Sequence, residues 1–195
     1  MNEPLEGMDD AATPLTSEEQ QDLIPSYISL RRELNEAEQA NILEAEQWAF
    51  ARRRNVPDLQ FLSTLHKRMF GRVWRWAGNF RNTERNIGVA PAQIRPDLQQ
   101  LVNDCNYWIK AGTYPPDEIA ARFHHRLTSI HSFPNGNGRH ARLATDLLLA
   151  ALGRPRFSWG RENLVDATQT RKAYVASLRA ADQHNIGPLL DFVRS

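Results

Sequence analysis

The sequence predicts an all-α fold: a helical bundle interrupted by one short β-hairpin flap. Three observations carry that expectation. Apolar residues recur at helical spacing through several long stretches. Capping residues, prolines and glycines stand where such helices would start and stop. One nearly all-apolar run, ARLATDLLLAALG over residues 141–153, reads as a central helix buried on every side. The 195 residues fit one domain with a short extension and suffice to bury a sizeable core.

Taken in order, residues 1–28 read as a flexible lead-in. Its first half is polar without a period, and Thr16 and Glu19 have the spacing of a capping box for a short helix that stops near Pro25. Residues 29–54 form an N-terminal helix in which Leu30, Leu34, Ala37, Ile42, Ala45, Trp48 and Ala49 approximate an apolar stripe. Arg52, Arg53 and Arg54 close it where cations suit the helix dipole, and read as a solvated turn. Residues 55–195 are the main domain. Asp58 caps a helix whose apolar face is Leu59, Leu62, Leu65, Met69 and Phe70, and Gly71 stops it. Trp74 and Trp76 read as core. Residues 80–94 have no helical period, and Gly88 with Pro91 permits a hairpin or extended flap. A helix over about 96–111 opens at Pro96 and closes at Gly112; the next opens at Pro115-Pro116-Asp117 and runs to about Ile130. After the central helix, two more over about 164–182 and 187–194 complete the bundle.

Composition narrows the function. With 24 Lys plus Arg against 23 Asp plus Glu, the net charge of +1 gives no general attraction to nucleic acid or anionic membrane, so any basic site is local. Cys105 is the single cysteine, a small buried apolar residue that excludes an internal disulfide and suits a reducing compartment; the cytoplasm is the expected location. No apolar run approaches the roughly 18 residues of a membrane span, and the acidic start MNEPLEGMDD is unlike a signal peptide.

The chemistry concentrates in HSFPNGNGRHAR, residues 131–142. One helix ends before it and a buried helix begins within it, so it is a helix-loop-helix corner. Gly136 and Gly138 can take positive φ and turn successive backbone N–H groups to one side, an anion-binding nest at a helix N-terminus. Arg139 and Arg142 lie about one turn apart in the first turn, where the dipole disfavours cations by up to roughly 1 kcal/mol. The arrangement is frustrated until an anion binds, and a polyphosphate would relieve it through bidentate guanidinium contacts. His131, at the edge of the corner, can serve as general base for a hydroxyl attacking phosphorus. A bare tight loop with solvated arginines is the plainer reading, but base, nest and paired arginines agree on phosphate. No Gly-Lys-Ser/Thr follows, so this is no Walker loop. His124 and His125 do not form, with His131 and His140, the spacing of a zinc site, and read as packing or surface residues.

These residues resemble the signature of the Fic family, H-x-F-x-(D/E)-G-N-G-R-x-x-R, at every fixed position but one. LHKRMFGRVWRWAGNFR over residues 65–81, RNIGV over 85–89, and RKAYVASLRAADQHNIGPLLDFV over 171–193 extend the resemblance to about residues 29–194. The chain is also similar to the bacterial group called mobile mystery protein B. The resemblance implies a Fic-type helical bundle and AMPylation, the transfer of AMP from ATP to a Ser, Thr or Tyr hydroxyl of a target protein. It implies His131 as the base and Phe133 as the anchor of the loop. Gly136, Asn137 and Gly138 would cradle phosphates, Arg139 the α/β region and Arg142 the distal phosphate. Arg85, Asn86, Ile87, Gly88 and Val89 would align the target by strand addition, and Mg²⁺ would bridge phosphate oxygens. Asn135 stands where the family has a metal-binding carboxylate; its amide oxygen can ligate Mg²⁺ without adding charge, or can simply be a turn residue. The family's inhibitory helix, (S/T)-x-x-x-E-(G/N), has an imperfect counterpart in SLRRELNEAEQAN, residues 29–41, which makes Glu33 or Glu38 the candidate partner of Arg142. SWGREN at residues 158–163 matches it literally but abuts a helix cap, and reads as coincidence. The group also implies a helix-turn-helix regulatory companion, mobile mystery protein A, and a toxin-like enzyme restrained in cis or by a partner. Two functions remain open: a transferase, or a nucleotide-binding regulatory module with weakened chemistry.

Overall fold

The computed structural model describes residues 21–161 and 167–195. Among them are seven α-helices and no strand: α1 Arg31–Phe50, α2 Leu59–Phe70, α3 Pro91–Ala111, α4 Pro116–Ile130, α5 Asn137–Ala151, α6 Ala167–Asp182 and α7 Gly187–Arg194. The all-α expectation holds. The capping-box pair Thr16 and Glu19, and residues 164–166 of the penultimate helix, lie outside the described residues.

The main core gathers Leu62, Leu65, Met69 and Phe70 of α2, Ile94, Leu98 and Leu101 of α3, Phe123 and Leu127 of α4, and Ala144, Leu147 and Leu148 of α5. Leu149 of α5 belongs instead to a second cluster with Phe157, Trp159, Leu189, Phe192 and Val193. The apolar run 141–153 is therefore central, serving one core with one face and the second core with another.

Several element ends follow local chemistry. Asp58 caps α2 by accepting the Phe61 N–H at 2.7 Å, and Gly112 ends α3 in the left-handed region. α1 begins at Arg31, two residues later than predicted, because the Glu33 carboxylate accepts the N–H groups of Ser29 and Leu30 at 2.9 and 3.1 Å. Those two bonds also hold the Glu33 carboxyl below its ordinary pKa. At the other end of α1, Arg54 is not merely solvated: its guanidinium donates to the carbonyls of Trp48 and Ala49 and lies 4.1 Å from the Trp48 ring centre. Arg53 does the same for α5, donating to Ala151 at 3.0 Å.

Two expectations are corrected. α3 starts at Pro91, so Pro96 sits inside the helix instead of opening it. Both prolines have the ring geometry of a first helical position, and Ile94, fully buried on the α3 stripe, extends the helix back to the earlier one. The predicted β-hairpin is also absent. Residues 80–90 form an irregular loop, and its two limbs are joined by the side chain of Arg81, which donates to Thr83 O at 2.9 Å and to Val89 O at 2.5 Å. A guanidinium fork replaces the backbone ladder. Strand-like pairing lies elsewhere, in an isolated bridge of Leu23 with Trp74, flanked by Ile24 N–H to Val73 O at 2.8 Å and Arg75 N–H to Asp22 O at 2.9 Å. It docks the end of the lead-in onto the body.

Candidate active site

The corner between α4 and α5 is built from the inside out. His131 ends α4 in the left-handed region, with φ 53°, and is 7% exposed. Phe133 turns into the core, where its ring stacks on His66 at 3.7 Å between centres and meets Phe80 and His140. It is the anchor the sequence predicted. Asn137 staples the loop by accepting the Phe133 N–H at 2.9 Å and donating to Phe133 O at 2.8 Å. Its side chain is turned inward, which leaves its backbone as its contribution to any cradle. His66 ties the same loop from below: it contacts the Asn135 carbonyl through Nε2 at 3.0 Å and accepts the Gly78 N–H through Nδ1 at 3.0 Å, so its remaining proton sits on Nε2.

Of the two glycines, only Gly136 has positive φ, at 77°, and a Cβ there would come within 2.5 Å of the Phe70 ring. Gly138 does not take positive φ. It lies in the first turn of α5, and a Cβ there would meet nothing within 4 Å. The first intrahelical bond runs from the His140 N–H to Gly136 O at 2.9 Å. The N–H groups of Gly138 and Arg139 thus lie in the turn that leaves its donors outside the helix ladder, beneath open space.

The two arginines reach this opening with different partners. Arg139 is paired with Glu38 of α1, Nη1 to Oε2 at 2.5 Å, and its guanidinium lies 4.9 Å from the Phe70 ring centre. Glu38 is 5% exposed and also accepts the Trp74 indole N–H at 2.7 Å. Arg142 rests on aromatic faces, 4.8 Å from Tyr174 and 5.8 Å from Trp159, and its Nε is buried without a hydrogen-bond partner. His124 contacts the Tyr174 hydroxyl from behind at 2.7 Å. The predicted carboxylate partner of Arg142 is therefore corrected: Glu38 meets Arg139, and Glu33 caps its own helix. Docking decides this, because Asn41 clasps the end of α2, donating to Arg68 O at 2.8 Å and accepting the Arg72 N–H at 3.0 Å, which fixes Glu38 one turn earlier over Arg139.

The His131 ring is hydrogen-bonded to the Thr128 carbonyl, and its pKa is pushed down to about 4, chiefly by burial and then by the positive charge of Arg81 and Arg85. It stands as neutral imidazole at neutral pH, the state a general base needs. The flap residues Arg85, Asn86, Ile87, Gly88 and Val89 run beside it; the Val89 N–H donates to Ile130 O at 3.3 Å, and Ile87 is 52% exposed.

A metal has little protein to bind. Among the described residues no group of three or more His, Cys, Asp or Glu is placed to hold one. Asn135 Oδ1 is turned back to accept the Gly136 N–H at 2.5 Å and adds at most one neutral ligand. One amide oxygen fits a Mg²⁺ whose other ligands would come with a triphosphate. Cys105 is buried, its thiol pushed up to about 12, and takes no part. No described helix is long and apolar enough to cross a membrane.

Arg81, His66, Trp74, His124, Trp159 and Tyr174 were not singled out by sequence reasoning as site residues. Arg81, His66 and Trp74 sit in the stretch 65–81 and Tyr174 in the stretch 171–193, whose resemblance was the available signal; His124 and Trp159 act through contacts distant in sequence.

Comparison with known proteins places this geometry. Residues 56–149 match the model of the Fic/DOC family. A protein adenylyltransferase, fic-1 of Caenorhabditis elegans, is 33% identical over 138 residues, 67% of this chain and 24% of that protein. The chain spans about a quarter of the length of the curated relatives it matches. Among solved structures, the N-terminal Fic domain of a VirB-translocated Bep effector protein from Bartonella quintana superposes with a TM-score of 0.71 at 20% identity, covering 90% of this chain and 91% of that one. BepC of Bartonella tribocorum with bound AMPPNP gives a TM-score of 0.66 at 21% identity, covering 92% and 97%.

Proposed function

The chain carries a Fic/DOC family domain over residues 56–149, and from that we propose that it is a protein adenylyltransferase, moving AMP from ATP to a Ser, Thr or Tyr hydroxyl of a target protein. The observation that carries the reading is the convergence of a neutral, buried His131 with the open first turn of α5 and two arginines at a single corner. Relatives that align with two thirds of the chain are named protein adenylyltransferases, and a structure of this fold holds AMPPNP.

In this reading His131 takes the proton of the target hydroxyl as its oxygen bonds to the α-phosphorus. The bond from that phosphorus to the bridging oxygen breaks, and pyrophosphate leaves. The first turn of α5, through Gly136, Asn137 and Gly138, cradles phosphate with backbone N–H groups. Arg139 neutralises the α/β region once released from Glu38, while Arg142, held on Tyr174, meets the distal phosphate. Asn135 would offer one neutral oxygen to a Mg²⁺ bound with ATP, which would supply charge neutralisation on the phosphate oxygens. Residues 85–89 lay the target segment alongside His131.

Glu38 gives the site a restraint in cis. Its carboxylate neutralises the arginine that a phosphate would otherwise neutralise, so α1 competes with nucleotide. The resemblance to mobile mystery protein B carries a second expectation, a toxin-like activity in the cytoplasm with a helix-turn-helix companion, mobile mystery protein A.

Incubating the protein with α-labelled and with γ-labelled ATP, beside a His131→Ala control, tests the reading. Label from the α position alone, lost in the control, is expected. Label from γ alone means phosphoryl transfer. No label from either with ATP binding intact favours the second reading, a nucleotide-binding regulatory module, which the uncharged Asn135 motivates.

A further inference from the structure

Arg81 is 3% exposed, and each of its three guanidinium nitrogens donates to a backbone carbonyl. Nε donates to His131 O at 2.7 Å, Nη1 to Thr83 O at 2.9 Å, and Nη2 to Val89 O at 2.5 Å and Ile130 O at 3.4 Å. Its backbone N–H reaches Ser132 O at 3.0 Å. A cation at the end of α4 would need only the Ile130 and His131 carbonyls to act as a helix cap. Thr83 and Val89 belong to the two limbs of the flap, so the same side chain grips three segments: both flap limbs and the backbone that carries the base. The flap backbone is laid directly against this clamp. Gly88 has φ 104°, and a Cβ there would fall 2.7 Å from Arg81 Nη2 and 2.7 Å from His131 Cβ.

We propose that Arg81 is a positioning residue of this site, clipping the flap shut over His131 and fixing the backbone from which that imidazole projects. Only an arginine can do this, since the planar fork offers five donors in fixed directions and a lysine ammonium cannot span the three segments. The clamp also sets the electrostatics. The charged groups that face the imidazole are Arg81, from the start of the loop, and Arg85, from the flap itself; Thr128 of α4 contributes its carbonyl, and Glu84 acts on Arg81. With the flap closed, both guanidinium groups and the exclusion of water favour the neutral ring. An opened flap admits water and removes Arg85, and the ring then holds a proton more readily. Target alignment and readiness of the base are thereby coupled through one buried side chain.

The catalytic meaning of the clamp rests on the transferase reading, but its existence is measured without turnover. Hydrogen exchange at the Val89 amide reports flap closure, and an NMR titration of the His131 imidazole reports its protonation, in the full chain and in Arg81→Met, Arg81→Lys and Gly88→Ala. All three variants should speed exchange at Val89 tenfold or more. The imidazole midpoint should rise in Arg81→Met, and rise less in Arg81→Lys, which keeps a charge. Label transfer should show a fall in kcat of at least tenfold with KM for ATP within about threefold, because the phosphate cradle lies on α5. A folded Arg81→Met protein with parental exchange at Val89 and a parental His131 titration overturns the proposal and leaves Arg81 a helix cap. Should Arg81→Met fail to fold, Gly88→Ala decides by the same two measurements, as it retains Arg81 and α4. A parent protein that transfers no label sinks the transferase reading alone; exchange and titration still judge the clamp.

Discussion

The carboxamide at position 135 puts a ligand without a charge at the mouth of the loop. Both of its oxygens have inward partners: Oδ1 takes the Gly136 N–H and the backbone carbonyl is held by His66. A metal must either displace the first contact or share the oxygen, and an amide dipole offers Mg²⁺ little reward for doing so. Asn135→Asp restores a charge at the same volume. The aspartate variant should need less Mg²⁺ for half-maximal activity, while its affinity for ATP without metal should weaken by about tenfold, since carboxylate then faces phosphate in a partly desolvated opening. Calorimetry with a non-hydrolysable ATP analogue, with and without Mg²⁺, reads the second effect independently of turnover. If both quantities stay at parental values, position 135 is a turn residue and the metal is held by the nucleotide alone. His131 sits only four residues away, yet its properties are set by groups that no local pattern contains. Burial and the arginines at 81 and 85 keep its ring neutral.

Helix α1 shows how an element can answer a local conflict from a distance. Two arginines in the first two turns of α5 oppose the helix dipole. The structure relieves one with the Glu38 carboxylate and the other with the Tyr174 and Trp159 rings. Glu38→Gln keeps the volume and an acceptor for the Trp74 N–H but removes the charge. It should therefore raise ATP affinity several-fold and increase self-modification, whereas Glu33→Gln, which alters only the start of α1, should leave both unchanged. Titration of ATP into the three proteins decides: equal affinities remove α1 from the regulation of this site. The conflict itself was legible in GNGRHAR, as was a nearby acidic helix to resolve it. Which carboxylate meets which arginine was not, because that depends on the clasp of Asn41 on α2, 27 and 31 residues further along the chain. The start of α3 was partly legible: two prolines competed for the first position, and the stripe from Ile94 through Leu98, Leu101, Val102 and Cys105 already favoured the earlier one. The flap escaped for another reason. Gly88 and Pro91 signal a reversal of the chain, but nothing local reveals that a buried guanidinium, and not a β-ladder, satisfies the carbonyls of both limbs.

Over the whole molecule, the buried histidines form a shared vulnerability to acid. His66, His124, His131 and His140 are all buried, and burial pushes each below its ordinary pKa: His131 and His140 to about 4, His124 to about 3, and His66 well down. Three of them pack around or beneath the corner between α4 and α5, with His140 contacting Leu62 O at 3.0 Å and His66 between Phe70 and Phe133. In the unfolded chain each binds a proton near pH 6.5, while the folded chain resists protonation until about 4 or below. Between those values the unfolded state binds more protons, so stability rises with pH across this window and falls as pH drops through it. Each histidine that stays neutral costs up to about 1.4 kcal/mol per pH unit, against a total stability of roughly 5–15 kcal/mol for a domain. Asp117, held low mainly by its hydrogen bond from Arg194, loses its contribution only below its ordinary value of 3.8, whereas Asp146, raised by burial, binds its proton more readily when folded and opposes the histidines at the acid end of the window. Activity should consequently stay flat from about pH 8 to 6.5 and then fall in step with the urea midpoint, since the base is already neutral and the fold fails first. Urea melts and label transfer measured at half-unit intervals from pH 8 to 4 separate the causes. An acid limb near pH 6.5 with an unchanged urea midpoint would mean that His131 titrates in open water, contrary to a base enclosed by the flap.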